Sequence, residues 1–112
     1  MIESYDFGKI KIDGKLYGHD LIVSKDGVDS WWRQNSHWVG ISDLGEIIEK
    51  QPKIVIFGTG YSGIMEVSDE AKEHLEKLGI KAIIEPTKKA CNIYNKLFSE
   101  KEDAIAALHL TC

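Results

Sequence analysis

Residues 58–63 read Gly-Thr-Gly-Tyr-Ser-Gly and follow directly on the apolar run Ile54-Val55-Ile56-Phe57. A glycine loop at the carboxyl end of a buried strand is where open α/β sheets bind ligands. The spacing is formally G-x-G-x-x-G, but a dinucleotide site also needs the last glycine to open a helix whose amino terminus meets the pyrophosphate. Here Ile64-Met65-Glu66-Val67 intervenes before Ser68, the first credible helix cap, and the chain has no second mononucleotide half. No nicotinamide, flavin or other cofactor is expected. What the loop predicts is a cradle in which backbone N–H groups of Thr59, Gly60 and Tyr61, beside Gly58, hold a small anion. The plainer alternative is that the glycines only let the chain turn at positive φ.

A second group of residues points to negative charge. One helix opens at Ser68 with Asp69 and Glu70, which suits the positive end of the macrodipole, whereas another opens at Thr87 with Lys88 and Lys89, which opposes it. If the strands ending at Phe57 and Ile84 are parallel, Thr87 and Lys88 lie on the same rim as the glycine loop. The third group is aromatic: Trp31-Trp32-Arg33 is followed by Ser36-His37-Trp38. Strand alternation turns one of Trp31 and Trp32 inward and leaves the other to cover a pocket or anchor an interface. Arg33 and His37 are suited to charge-assisted bonds with a carboxylate or phosphate. With an ordinary imidazole pKa near ~6.5, His37 is also the best placed proton carrier should the pocket be enzymatic.

The end of the chain, His109-Leu110-Thr111-Cys112, brings an imidazole near a thiol, but on a continuing strand His109 and Cys112 point to opposite faces. Four dispersed histidines and two cysteines, Cys91 and Cys112, have no metal-ligand spacing. Both cysteines are expected as reduced thiols.

These residues need a scaffold. Asp13-Gly14 and Asp26-Gly27 separate short apolar runs and predict two successive antiparallel hairpins, a meander, with a bulge at Gly8 in the first strand. A short helix is expected over residues 43–50, with Asp43 and Glu46 at capping-pair spacing. Beyond Pro52 the pattern is strand Lys53–Phe57, helix Ser68–Leu78, strand Ile80–Ile84, helix Thr87–Ser99 and strand Ala104–Leu108, a βαβαβ unit. The expected fold is a three-layer α/β domain over residues 1–112. A mixed central sheet would carry its helices on one face, with the meander helping to cover the other.

Composition narrows the function. The chain of 112 residues is 43% apolar and 29% charged, with a net charge of -4 and no basic stripe, which argues against nucleic acid. No apolar run is long enough to cross a bilayer and the start lacks the character of a signal peptide, so the expected location is cytoplasmic and away from membranes.

The order of Gly58-Thr59-Gly60, Leu78-Gly79-Ile80, Thr87, Ala90, Tyr94-Asn95 and the ending His109-x-Thr111-Cys112, with Trp32-Arg33 and His37, resembles a small family over essentially the whole chain. That family includes the mammalian adipogenesis-associated domain protein and archaeal and bacterial relatives, with a mitochondrial branch that assists assembly of respiratory complex I. The resemblance implies a three-layer α/β fold and no firmly attached reaction. It adds Tyr94, Asn95, His109 and Cys112 to the candidate residues, and Lys88 and Lys89 lie outside its pattern.

Three functions follow as expectations. The first is a module, monomeric or homodimeric and not itself an enzyme, that binds a small anion or a protein partner through Arg33, His37, Gly58, Thr59, Gly60, Tyr61, Thr87 and Lys88. The second is an enzyme using the same pocket with His37 as acid or base. The third is an assembly or adaptor protein whose exposed Trp surface does the binding.

Overall fold

A computed structural model describes residues 1–112. Strands β1 (Ile2–Asp6), β2 (Lys9–Ile12) and β3 (Lys15–Tyr17) form one antiparallel sheet. Asp13 and Gly14 both take positive φ, 48° and 83°, as a two-residue type I′ hairpin requires. The bulge expected at Gly8 is instead a chain reversal, which makes β1 and β2 separate antiparallel partners. Tyr5 and Ile10 thus belong to two strands and Phe7 to the turn between them, so the change of parity needs no bulge.

Strands β4 (Leu21–Ser24) and β5 (Gly27–Ser30) form the second hairpin, with Ser24 opposite Gly27 and the turn at Lys25-Asp26. The expected continuous meander is broken between β3 and β4, because β4 leaves the first sheet to pair antiparallel with the last strand, β10 (Ala104–His109). Strand β10 runs parallel to β7 (Ile54–Thr59), and β7 runs parallel to β9 (Lys81–Glu85), giving the order β5-β4-β10-β7-β9. Two short strands that the sequence pattern does not reveal, β6 (Trp38–Val39) and β8 (Glu66–Val67), pair with each other.

Residues Ile41–Leu44 form a 3₁₀ turn and α1 covers Gly45–Glu49. The expected pairing of Asp43 with Glu46 is replaced. The Asp43 carboxylate accepts the Gly40 amide at 2.8 Å, because the turn begins two residues before Asp43 and places that amide within its reach. Helix α2 (Asp69–Lys77) is capped by the Ser68 hydroxyl, which accepts the Ala71 amide at 3.0 Å. Helix α3 runs from Thr87 to Ser99.

The helices do not share one face of the sheet. From β7 through α2 to β9 the chain moves outward, and from β9 through α3 to β10 it moves back across β7; right-handed crossovers in opposite directions put α2 and α3 on opposite faces. One core accordingly joins the 3₁₀ turn, α1 and α2 through Leu44, Ile47, Ala71 and Leu75 to Val55, Phe57, Ile105 and Ala107. The other joins α3 and the first sheet through Ile2, Ile10, Ala90 and Tyr94 to Ile56, Ala106 and Leu108. Alternation along β7 and β10 divides these residues between the two faces.

Candidate functional site

Because β7 and β9 are parallel, the glycine loop and the start of α3 do open on one rim. They are in direct contact. The Gly60 amide donates to the Thr87 hydroxyl at 2.8 Å, that hydroxyl donates to the His109 carbonyl at 2.6 Å, and the Thr87 amide donates to the Gly60 carbonyl at 3.1 Å. A Cβ on Gly58 would come within 2.9 Å of the Thr87 hydroxyl and 2.8 Å of Leu108, so glycine there permits strand and helix to touch.

The chain itself fills the other side of the loop. Tyr61 donates its amide to the Thr111 carbonyl at 3.2 Å, and Ile64 donates to a main-chain oxygen of Cys112 at 3.1 Å. At Gly60, where φ is +106°, a Cβ would overlap the main chain of Thr111 and Cys112. The Gly60 and Tyr61 amides of the expected cradle are thus taken by internal acceptors, because β10 is the central neighbour of β7 and its continuation runs straight past the loop. Thr59 is buried and its hydroxyl donates to the Glu85 carbonyl at 3.2 Å.

The remaining expected residues separate. Tyr61 is exposed with its ring edge-on to Phe7 at 5.9 Å. Lys88 lies on the α3 face, beside a groove lined by Tyr5, Cys91, Asn92 and Asn95, while Lys89 pairs with Glu85 at 3.4 Å. Asn95 bonds the Ile2 amide at 2.9 Å and the Ile2 carbonyl at 2.7 Å, closing the end of β1 like a short added strand. Tyr94 is buried in the core of that face. Burial pushes its phenol up to about 12, with the Asp13 carboxylate adding to the effect.

Arg33 and His37 do meet, on the α2 face and around His109. His109 is buried, with its side chain 3% exposed. Its Nδ1 lies 2.8 Å from Asp20 Oδ2, and the Arg33 Nη2 donates to the same oxygen at 2.8 Å and to the Ser36 carbonyl at 2.8 Å. The Leu110 amide donates to the other Asp20 oxygen at 2.8 Å. Burial on its own would raise the Asp20 pKa, but bonds from His109, Leu110 and Arg33 outweigh it and hold the carboxyl below its ordinary value. An ionised carboxylate only accepts, so His109 Nδ1 carries a proton, and the 3.2 Å approach of Arg33 Nη2 to Nδ1 brings two donors side by side.

This arrangement leaves polar atoms over. His109 Nε2 is buried without a partner, and so are Arg33 Nε and Nη1. The guanidinium stacks over the Trp31 ring at 4.4 Å, and His37 sets its exposed ring edge-on to His109 at 5.7 Å. Arg33, with a side chain 3% exposed, lines a cleft of about 440 Å³ together with Trp32, Gln34, Ser42 and Asp43. Of the tryptophan pair, Trp31 is buried against Phe57 and donates its indole N–H to the Asp43 carbonyl at 3.1 Å; Trp32 is 86% exposed at the cleft mouth. Asp20 had no signal in the sequence, since its role depends on β4 lying beside β10.

A larger cleft of about 550 Å³ lies between Thr59, Gly63, Pro86 and the start of α2. Its charged lining is Glu66, Asp69 and Glu85 against Lys72, an unfavourable setting for an anion. Nowhere do three His, Cys, Asp or Glu side chains converge in the way a metal site requires. No helix is long and apolar enough to cross a membrane.

The same fold recurs in solved structures. A conserved hypothetical protein of Pyrococcus horikoshii OT3, PH1505, is 28% identical and superposes with a TM-score of 0.90 over 100% of this chain and 99% of its own. A protein of Bartonella henselae described as an outer membrane protein is 18% identical, with a TM-score of 0.86 over 99% and 94%. A Bordetella pertussis protein described as an Mth938-like domain is 19% identical, with a TM-score of 0.80 over 97% and 84%. At those last two identities the likeness is one of fold. Residues 2–109 match the family model described as a protein of unknown function, DUF498/DUF598, and the chain belongs to that family.

Proposed function

We propose that the protein is a single-domain cytoplasmic module that binds a small anion, a carboxylate or phosphate, in the cleft over Arg33. The observation that carries this reading is a buried guanidinium with Nε and Nη1 unpaired, on a residue that lines a cleft. Each unpaired buried donor costs about 1–3 kcal/mol, which an oxyanion would recover through charge-assisted bonds. Trp32 at the mouth supplies a face to cover the ligand. The glycine loop and Thr87 then act from behind, by fixing the strand end that carries His109. Titration of the ¹⁵N-labelled protein with inorganic phosphate and with acetate tests this: shifts at Trp32–Gln34, Ser42 and Asp43 support it, and an unchanged cleft spectrum removes it.

A second reading, docking of a protein partner, is favoured by Trp32 standing almost fully in solvent, with Trp38 and Ile41 also exposed. It accords with the resemblance to the adipogenesis-associated protein and the complex I assembly branch. Here Trp32→Ala would abolish partner binding without changing the melting temperature.

A further inference from the structure

The five-stranded sheet ends on one side at β9, whose sequence is Lys81-Ala82-Ile83-Ile84-Glu85. The Lys81 amide donates to the Lys53 carbonyl, so in this parallel pair Lys81, Ile83 and Glu85 turn their main-chain groups toward β7. Those of Ala82 and Ile84 face outward, along an edge that no strand of the chain covers. An open edge with neither a proline nor a bulge is a template for another strand.

We infer that β9 is a homodimerisation edge that pairs antiparallel with β9 of a second copy, about a two-fold axis at Ile83. In that register Ala82 stands opposite Ile84 of the second copy. Both residues face outward, so each such pair exchanges two main-chain hydrogen bonds. Ile83 meets its own counterpart, and Lys81 lies opposite Glu85 of the second copy on the same face. The strand is thus charge-complementary to itself when reversed, with apolar residues between its ends. Cross-strand pairs of this kind stabilise a sheet edge. Helix α3 packs mainly over β7 and β10 and touches β9 less, with Ile83 half-buried against the core of that face. The opposite edge, β5, lacks this symmetry, because its only charge is Asp29. Pairing through β9 would join the two five-stranded sheets into one and leave both Arg33 clefts outside the interface.

Sedimentation equilibrium of the full chain tests the register. The wild type is expected at twice 12.6 kDa at micromolar concentration. Ala82→Pro removes an outward N–H that bonds nothing within the chain, and is expected to give a folded monomer. Lys81→Glu and Glu85→Lys each place like charges opposite one another twice and should weaken the dimer about tenfold, while the double exchange restores it. A monomeric wild type, a dimer that survives Ala82→Pro, or a double exchange no tighter than the single variants would overturn the inference. If Ala82→Pro does not fold by circular dichroism, the charge exchange decides alone.

Discussion

Asp20 and His109 each stand one residue beyond Leu21 and Leu108, the last antiparallel pair of β4 and β10, and their side chains meet with Oδ2 and Nδ1 2.8 Å apart. The pair fixes the histidine tautomer, holds the Leu110 amide and anchors Arg33 at the wall of its cleft.

The lowered pKa of Asp20 makes this network sensitive to acid. A carboxylate whose folded pKa lies below its unfolded value contributes stability that is fully present above the unfolded value, about 3.9, and fades as pH falls through the folded one. Asp20→Asn is expected to cost about 3 kcal/mol at neutral pH by leaving the Arg33 charge buried and unpaired. The gap to wild type should narrow steadily below about pH 4. Urea denaturation across that range measures it, and a constant gap would contradict the assignment.

Thr87→Val keeps the volume of a side chain that is wholly buried and deletes its hydroxyl. The Gly60 donor and the His109 acceptor then lose their partner together, a loss of about 2–4 kcal/mol. Chemical denaturation should register it with the fold intact by circular dichroism.

Gly60→Ala should destabilise by more than about 1 kcal/mol, since the new Cβ meets both a positive φ and the main chain of Thr111 and Cys112. Increased amide hydrogen exchange at Tyr61 and Ile64, the donors to that segment, is the expected local signature.

The two thiols should differ in reactivity. Burial pushes Cys91 up to about 12, while Cys112 is partly exposed. An aromatic disulfide reagent at pH 8 should titrate one thiol rapidly in the native protein and the second only in denaturant. Rapid modification of Cys91 would place it outside the α3 core.

How far the sequence carries depends on the range of the interaction. Apolar spacing places α3 at its observed bounds, and the glycine after Leu78 ends α2 where expected, because both signals are local. Long continuous runs likewise mark β7 and β10. The departure of β4 from the first hairpin is set by its pairing with β10, more than eighty residues away, and nothing in Leu21–Ser24 announces that partner. The same pairing creates the contact between Asp20 and His109. Arg33 and His37 stand out by residue type in the sequence, yet the acid that orders them does not. The glycine loop is legible as a turn at a strand end, but its Gly60 and Tyr61 amides face acceptors supplied by residues 87 and 111.

The Arg33 side chain itself reports most directly on the proposed binding. During titration with inorganic phosphate at constant ionic strength, its Nε–H resonance should move downfield and saturate together with the Trp32 indole N–H. A stationary Arg33 Nε–H, with shifts instead confined to the Gly58–Tyr61 amides, would contradict the account.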